Sequence, residues 1–286
     1  MTDDALRRAL DDTRGRRDVD WHARSLLVIN EDWGELAISR HGGHLLHFAP
    51  RGQASWLWTS PTPKAPPSAI RGGIPLCWPW FADAPEGQGP FHGPARTADW
   101  RIDAVDDETE GVEIHLSPVE RLDPQLAPRV VVHANAQRLK VELITEHRGE
   151  TPTKLTQALH TYFAVAETHA CRVEGLAGAR YIDKLKDNAE SEQQGELGVR
   201  GALDRIYHSS QPLILDDGIR RLRIAKQGSD SSVVWHPGSE APGDIPEGEK
   251  MRFLCVETAC TRLDPVWLAP GAQHVLSMHV SLESQA

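Results

Sequence analysis

Two titratable side chains lie where a proton could be passed to and from a substrate. His160 falls in residues 153–165, where strand alternation would put Ala158, His160, Tyr162 and Ala164 on one face. An imidazole, with an ordinary pKa of about 6.5, can give or take a proton near neutrality. Glu257 falls in residues 251–259, where Phe253, Cys255, Glu257 and Ala259 would share a face. A carboxyl group among such neighbours should rise from about 4.3 toward a useful general-base range. Each has a structural alternative. A lone strand histidine often serves packing, and a buried glutamate can be the partner of an arginine or of backbone donors.

A second set suits an anion. Residues 71–81 read RGGIPLCWPWF and residues 91–96 read FHGPAR, so Arg71 and Arg96 bracket one loop. Two guanidinium forks can grip a phosphate dianion in bidentate fashion. Gly72 and Gly73 let the backbone approach a ligand closely, and Pro75 and Pro79 stiffen the path. No G-x-x-x-x-G-K-[ST] accompanies the glycines, so this is no nucleotide P-loop. Trp78, Trp80 and Phe81 either stack on the C–H face of a sugar or plug the end of a sandwich. Asp204, in LDRIY, either accepts hydrogen bonds from sugar hydroxyls or caps a turn. His41, His44 and His47 are spaced three apart, but strand alternation splits them between faces and the nearby glycines suggest a turn, so no metal is expected there.

The elements that must hold these groups read as strands. Candidates are residues 25–30, 34–40, 44–49, 55–60, 99–105, 111–117, 129–134, 138–147, 153–165, 171–176, 180–183, 205–208, 212–217, 220–226, 231–236, 251–259 and 274–283. Gly, Pro, Asn and Asp clusters bound them at spacings of roughly 8–12 residues, the signature of a sandwich or barrel, and no βαβ rhythm appears. In RLKVELI, Leu139, Val141 and Leu143 alternate with Arg138, Lys140 and Glu142, so one face is apolar and one is wet. An all-β antiparallel sandwich is expected. Leu6 and Leu10, with acids before and arginines between them, suit a short amphipathic helix docked on the body. The expected division is an N-terminal helical extension over 1–20 and one sandwich domain over 21–286. Two long stretches outside strands, 61–96 and 184–204, are expected to build the site.

Composition narrows the partners. The 286 residues are 40% hydrophobic and 25% charged, ordinary for a globular chain. With 41 acidic against 31 basic residues the net charge is −10, which speaks against nonspecific nucleic-acid or anionic-membrane binding. An anionic ligand therefore needs a local basic cluster. Cys77, Cys171, Cys255 and Cys260 form no C-x-x-C pair and no zinc spacing, so reduced thiols in a cytoplasmic protein are expected. The N-terminus lacks the apolar core of a secretory signal and the chain has no membrane-spanning run.

Together, RGGIPLCWPWF, HGPAR, LTQALHTYFAV, LDRIY and FLCVETA, spread from residue 71 to about residue 260, resemble the glucose-6-phosphate 1-epimerase (hexose-6-phosphate mutarotase) family, relatives of galactose mutarotase. The resemblance implies a galactose mutarotase-like antiparallel β-supersandwich acting on a hexose 6-phosphate, with no metal and no organic cofactor. A monomer is expected. It implies His160 as general acid at the ring oxygen and Glu257 as general base at the C1 hydroxyl. Arg71 and Arg96 would contact phosphate, Asp204 the sugar, and His92 the sugar end. Pro94 replaces the family's usual Phe in HGFAR, and Phe91 stands where some members have a Gln. A carboxylate or substrate phosphate nearby is expected to keep His160 protonated at pH 7. Three other readings stay open. One is a non-catalytic phosphosugar- or carbohydrate-binding protein on the same sandwich. Another is a glycoside hydrolase, which would ordinarily use paired carboxylates. The third is a structural or regulatory relative that has lost activity.

Overall fold

Along Arg138–His147, Leu139, Val141 and Leu143 are buried while Arg138 is exposed and Lys140 and Glu142 are partly so, the burial that strand alternation demands. Repeated from strand to strand, this pattern gives a computed structural model of stacked antiparallel sheets, which describes residues 3–283. A nine-stranded sheet has Arg138–His147 near its middle, between Leu126–Asn135 and Gln273–Leu282. An eight-stranded sheet carries Arg180–Asp183, Leu203–His208, Ser231–His236, Phe253–Cys260, Gln157–Leu159 and Leu76–Cys77 in that spatial order. A four-stranded sheet runs from Gly15–Trp21 to His44–Pro50. One apolar cluster joins all three, from Leu139, Val141 and Leu143 through Leu254 and Val256 to Ile29, Leu36 and Phe48. Burying each such side chain contributes about 1.5–3 kcal/mol, so the sheet faces that meet set the frame.

The helix forms where expected, over Asp4–Asp11, with the Asp3 side chain accepting a hydrogen bond from the Leu6 backbone N–H at 3.2 Å. Leu6 and Leu10 are fully buried against Trp21, Leu26, Val28 and Ile70. The rest of the expected extension is not helical. Gly15–Trp21 pairs with Arg24–Glu31 as an edge strand, its charged residues facing out while Trp21 covers the helix. Residues 1–2 and 284–286 of the expected division lie outside the described residues.

Three further expectations are corrected. Residues 55–60 form no named strand: they carry isolated bridges at Leu57 and Thr59, with single backbone hydrogen bonds such as Trp56 N–H to the Phe48 carbonyl. The stretch 184–204 is not one loop, since it contains a turn at Lys184–Lys186 and short strands at Ala189–Glu192 and Leu197–Gly198. Residues 153–165 are three strands, Thr153–Leu155, Gln157–Leu159 and Tyr162–Ala164. The break at His160 and Thr161 has an identifiable cause: the His160 N–H donates to the distant Pro75 carbonyl at 3.0 Å and the Thr161 N–H turns back to the Leu159 carbonyl.

Candidate active site

Despite that break the register holds. Leu159 pairs with Thr258 and Tyr162 with Cys255, so His160 stands directly opposite Glu257. Glu257 also pairs with Val233, Cys255 with Trp235, and Trp235 with Asp204, which brings these side chains to one face of the eight-stranded sheet. Small and apolar residues carpet that face, with Cys77, Ala158, Ile206, Val233, Ala259 and Phe81 in one cluster. The expected catalytic pair therefore shares one face. His160 Nδ1 lies 3.4 Å from Glu257 Oε1, both residues are buried, and both Nδ1 and the second oxygen Oε2 lack hydrogen-bond partners. Buried polar atoms left without partners are costly, which marks this pair as a candidate functional site.

Rings fix the imidazole. Tyr162 stacks on His160 with centroids 5.0 Å apart and planes 8° from parallel, while His92 and Trp235 meet it edge-on at 5.4 and 6.2 Å. His92 Nδ1 accepts the Ala82 N–H at 3.0 Å, so the proton of the neutral ring belongs on Nε2 and makes that atom a donor. Burial, with help from Arg96, Lys184 and Arg71, pushes His92 down to about 3, so it remains neutral.

The same forces correct the expectation for His160. Burial first, then the neighbouring His92 ring and the Arg96 and Arg71 guanidinium groups, hold it well below the ordinary histidine range. Glu257 moves as expected: burial and the nearby Asp204 push it well above the ordinary carboxylate range, against the pull of Lys184 and Arg96. Both shifts favour the neutral forms, with the proton on Glu257 rather than on His160.

The arginines differ. Arg96 is partly exposed with a buried Nε that lacks a partner, and its charge reaches both His160 and Glu257. Arg71 is already engaged, donating from Nε to Asp244 at 2.8 Å and from Nη1 to the Tyr162 hydroxyl at 3.3 Å. Its Nη2 is the part left over for a ligand. Asp204 lies within Leu203–His208 and not in a turn, and Lys184 pairs with it at 3.0 Å. Sequence reasoning missed Lys184, Asp244 and Trp235; pairing register alone would have offered the first and last.

The aromatics divide. Trp78 is fully buried and donates to Thr145, so it plugs the sandwich, whereas Trp80 and Phe81 are partly exposed, Phe81 packing against the small-residue cluster of the site face. His41, His44 and His47 do not converge: they contact the Ser68 carbonyl, the Gly72 carbonyl and Glu35 respectively. Among the described residues, the two clusters with metal-ligand spacing are Asp106, Glu113 and His115, and Glu108, Glu113 and His133. Both project from neighbouring strands of the nine-stranded sheet, away from His160.

The aldose 1-epimerase sequence pattern matches residues 24–281. The chain belongs to the aldose 1-epimerase family. Among relatives of this epimerase, an Escherichia coli K12 protein named provisionally as a glucose-6-phosphate 1-epimerase is 34% identical over 245 residues, 82% of each chain. A Cenchrus ciliaris protein with the same provisional name is 33% identical over 234 residues, covering 73% of this chain and 69% of its own. A Salmonella typhimurium crystal structure described provisionally as a mutarotase superposes with a TM-score of 0.87 at 26% identity, covering 96% and 95% of the two chains. The epimerase fold seen here is thus the galactose mutarotase-like one that the sequence motifs implied.

Proposed function

We propose that this chain is a hexose-6-phosphate mutarotase that interconverts the α and β anomers of glucose 6-phosphate. The observation that carries the reading is the buried His160–Glu257 pair, 3.4 Å apart with open polar atoms, beside the partnerless Nε of Arg96. The relatives' names point to the same substrate. Anomer exchange needs a proton on the ring oxygen as the C1–O5 bond breaks, and loss of the proton from the C1 hydroxyl. His160, protonated, gives the first and Glu257, ionised, takes the second. The resulting aldehyde turns about C1–C2, and reclosure returns both protons. Each positioned transfer is worth about 10²- to 10⁴-fold.

The proton must first move from Glu257 to His160. A phosphate held by Arg96 and the free end of Arg71 acts on both members through Arg96, but at Arg71 it offsets a charge that holds down His160 and is not among those acting on Glu257, so filling the site favours that transfer. The non-reacting phosphate thus orients the sugar and prepares the acid. Asp204 and the His92 Nε2–H serve as acceptor and donor for sugar oxygens.

Polarimetry on freshly dissolved α-glucose 6-phosphate tests this, run beside α-glucose. The protein should speed the phosphorylated sugar far more, His160→Ala should lower kcat about 10²-fold or more, and Arg96→Ala should mainly raise KM. An unchanged approach to anomeric equilibrium would leave a carbohydrate-binding protein as the better reading. Action as a monomer is part of the same reading, and four free, buried cysteines fit a cytoplasmic setting.

A further inference from the structure

Lys184 was absent from every motif, yet it pairs with Asp204 on the face of the reacting pair and its charge reaches Glu257. Arg180–Asp183 pairs with Leu203–His208 so that Ile182 faces Ile206 and Asp183 faces Arg205. The next step along that register sets Lys184 opposite Asp204, and their side chains close to 3.0 Å. The backbone is fixed there, because the Asp183 side chain accepts the Leu185 N–H at the start of the turn and also pairs with Arg205 at 3.2 Å. Alternation sends Arg205 to the other face, where it meets Tyr207, and leaves Lys184 and Asp204 on the face of Glu257.

We propose that Lys184 is a positioning residue for this site: it holds the Asp204 carboxylate in place for sugar hydroxyls and opposes that carboxylate's charge at Glu257. The inference rests on the mutarotase reading above. A lysine with about a third of its side chain exposed, paired to a less exposed aspartate, gains little stability from the pair in water. Its value lies in geometry and local field. The groups facing Glu257 are His160 and Tyr162 across the ladder, Cys255 on its own strand, Cys77 from Leu76–Cys77, Arg96 from the loop, and Asp204 and Lys184 from beyond Ser231–His236. Of these, Asp204 pushes the Glu257 carboxyl up, while Lys184 and Arg96 pull it down.

The sign of the effect follows. The working pair needs its one proton, and the basic limb of kcat/KM is the loss of that proton by the pair in the free enzyme. Removing Lys184 leaves Asp204 unopposed, so Glu257 holds the proton to higher pH. The experiment measures kcat/KM against pH for α-glucose 6-phosphate, with spontaneous mutarotation subtracted, in wild type and in Lys184→Met, Lys184→Gln, Lys184→Arg and Asp204→Asn. Substrate phosphate titrates near pH 6, on the acid side, and leaves the basic limb clean. Both neutral lysine variants should move the basic limb to higher pH and raise KM about tenfold with kcat within about threefold. Lys184→Arg should restore the wild-type limb, and Asp204→Asn should move it to lower pH. A merely structural lysine would alter melting temperature or KM without moving the limb, so a wild-type limb in a folded neutral variant overturns the proposal. Should neither neutral variant fold, an unmoved limb in Asp204→Asn overturns it. An inactive wild type would instead sink the mutarotase reading, so the two failures are distinguishable.

Discussion

At the scale of single residues, the fold accepts a cost at Glu257. A carboxyl group whose pKa rises on folding binds its proton more tightly in the native state, so its stabilising effect is complete below the unfolded value and fades as pH rises through the folded one. Wild type therefore loses stability on account of this group as pH rises above the ordinary carboxylate value. Glu257→Gln removes the ionisation while keeping the shape. It should raise the melting temperature at pH 8 by a few degrees, on the order of 2–4 °C per kcal/mol, while lowering kcat about 10²-fold or more. Thermal melts at pH 5 and pH 8 check the sign, since the gain should shrink at the lower pH. A variant that melts below wild type at both pH values would mean the carboxylate is satisfied in the native state. The identity of the pair was legible in the sequence because alternation alone puts His160 and Glu257 on faces with small and apolar neighbours. The seat of its proton was not, because His92, Arg96 and Arg71 approach from loops far away in the chain.

Among the elements, the loop at 71–75 does more than supply an arginine. The Gly73 carbonyl accepts the Tyr162 N–H at 2.9 Å, and the Pro75 carbonyl accepts the His160 N–H at 3.0 Å, so this segment holds the backbone on both sides of the strand break. Gly73 lies in the left-handed region at φ +59°, and a Cβ there would come within 2.1 Å of the Leu45 carbonyl oxygen. Gly73→Ala should thus cost about 2 kcal/mol or more. The damage should fall on kcat as well as on melting temperature, because Tyr162 carries the ring stacked on His160. A Gly73→Ala protein with wild-type kcat would show that the loop does not position the imidazole. Strands with clean alternation, such as Arg138–His147, could be read directly. The edge strand Gly15–Trp21 could not, since GRRDVDW has little apolar content and pairs on one side only. The break at His160 was equally hidden, because it depends on a backbone bond to Pro75, 85 positions earlier.

For the molecule as a whole, the pairing of sheets creates the chemistry by excluding water from a titratable pair inside a chain of net charge −10. The long-range field of such a chain repels a phosphate dianion, and Arg71, Arg96 and Lys184 supply the only sign reversal the site needs. Burial drives the two members of the pair apart in pKa: His160 goes downward with Arg96 and Arg71 adding to the push, and Glu257 goes upward with Asp204, against the pull of Lys184 and Arg96. Between those values the pair keeps one proton, the number the reaction uses, whichever member carries it at rest. The kcat of wild type should accordingly be flat through neutrality, falling on the acid side only when His160 and Glu257 both hold protons and on the alkaline side only when both are bare. In a kcat profile measured at saturating glucose 6-phosphate, a rise or fall centred on the ordinary histidine value of about 6.5 would mean His160 titrates as an exposed imidazole. That result would contradict a shared proton, and with it the link between the sandwich's dry interior and its catalytic pair.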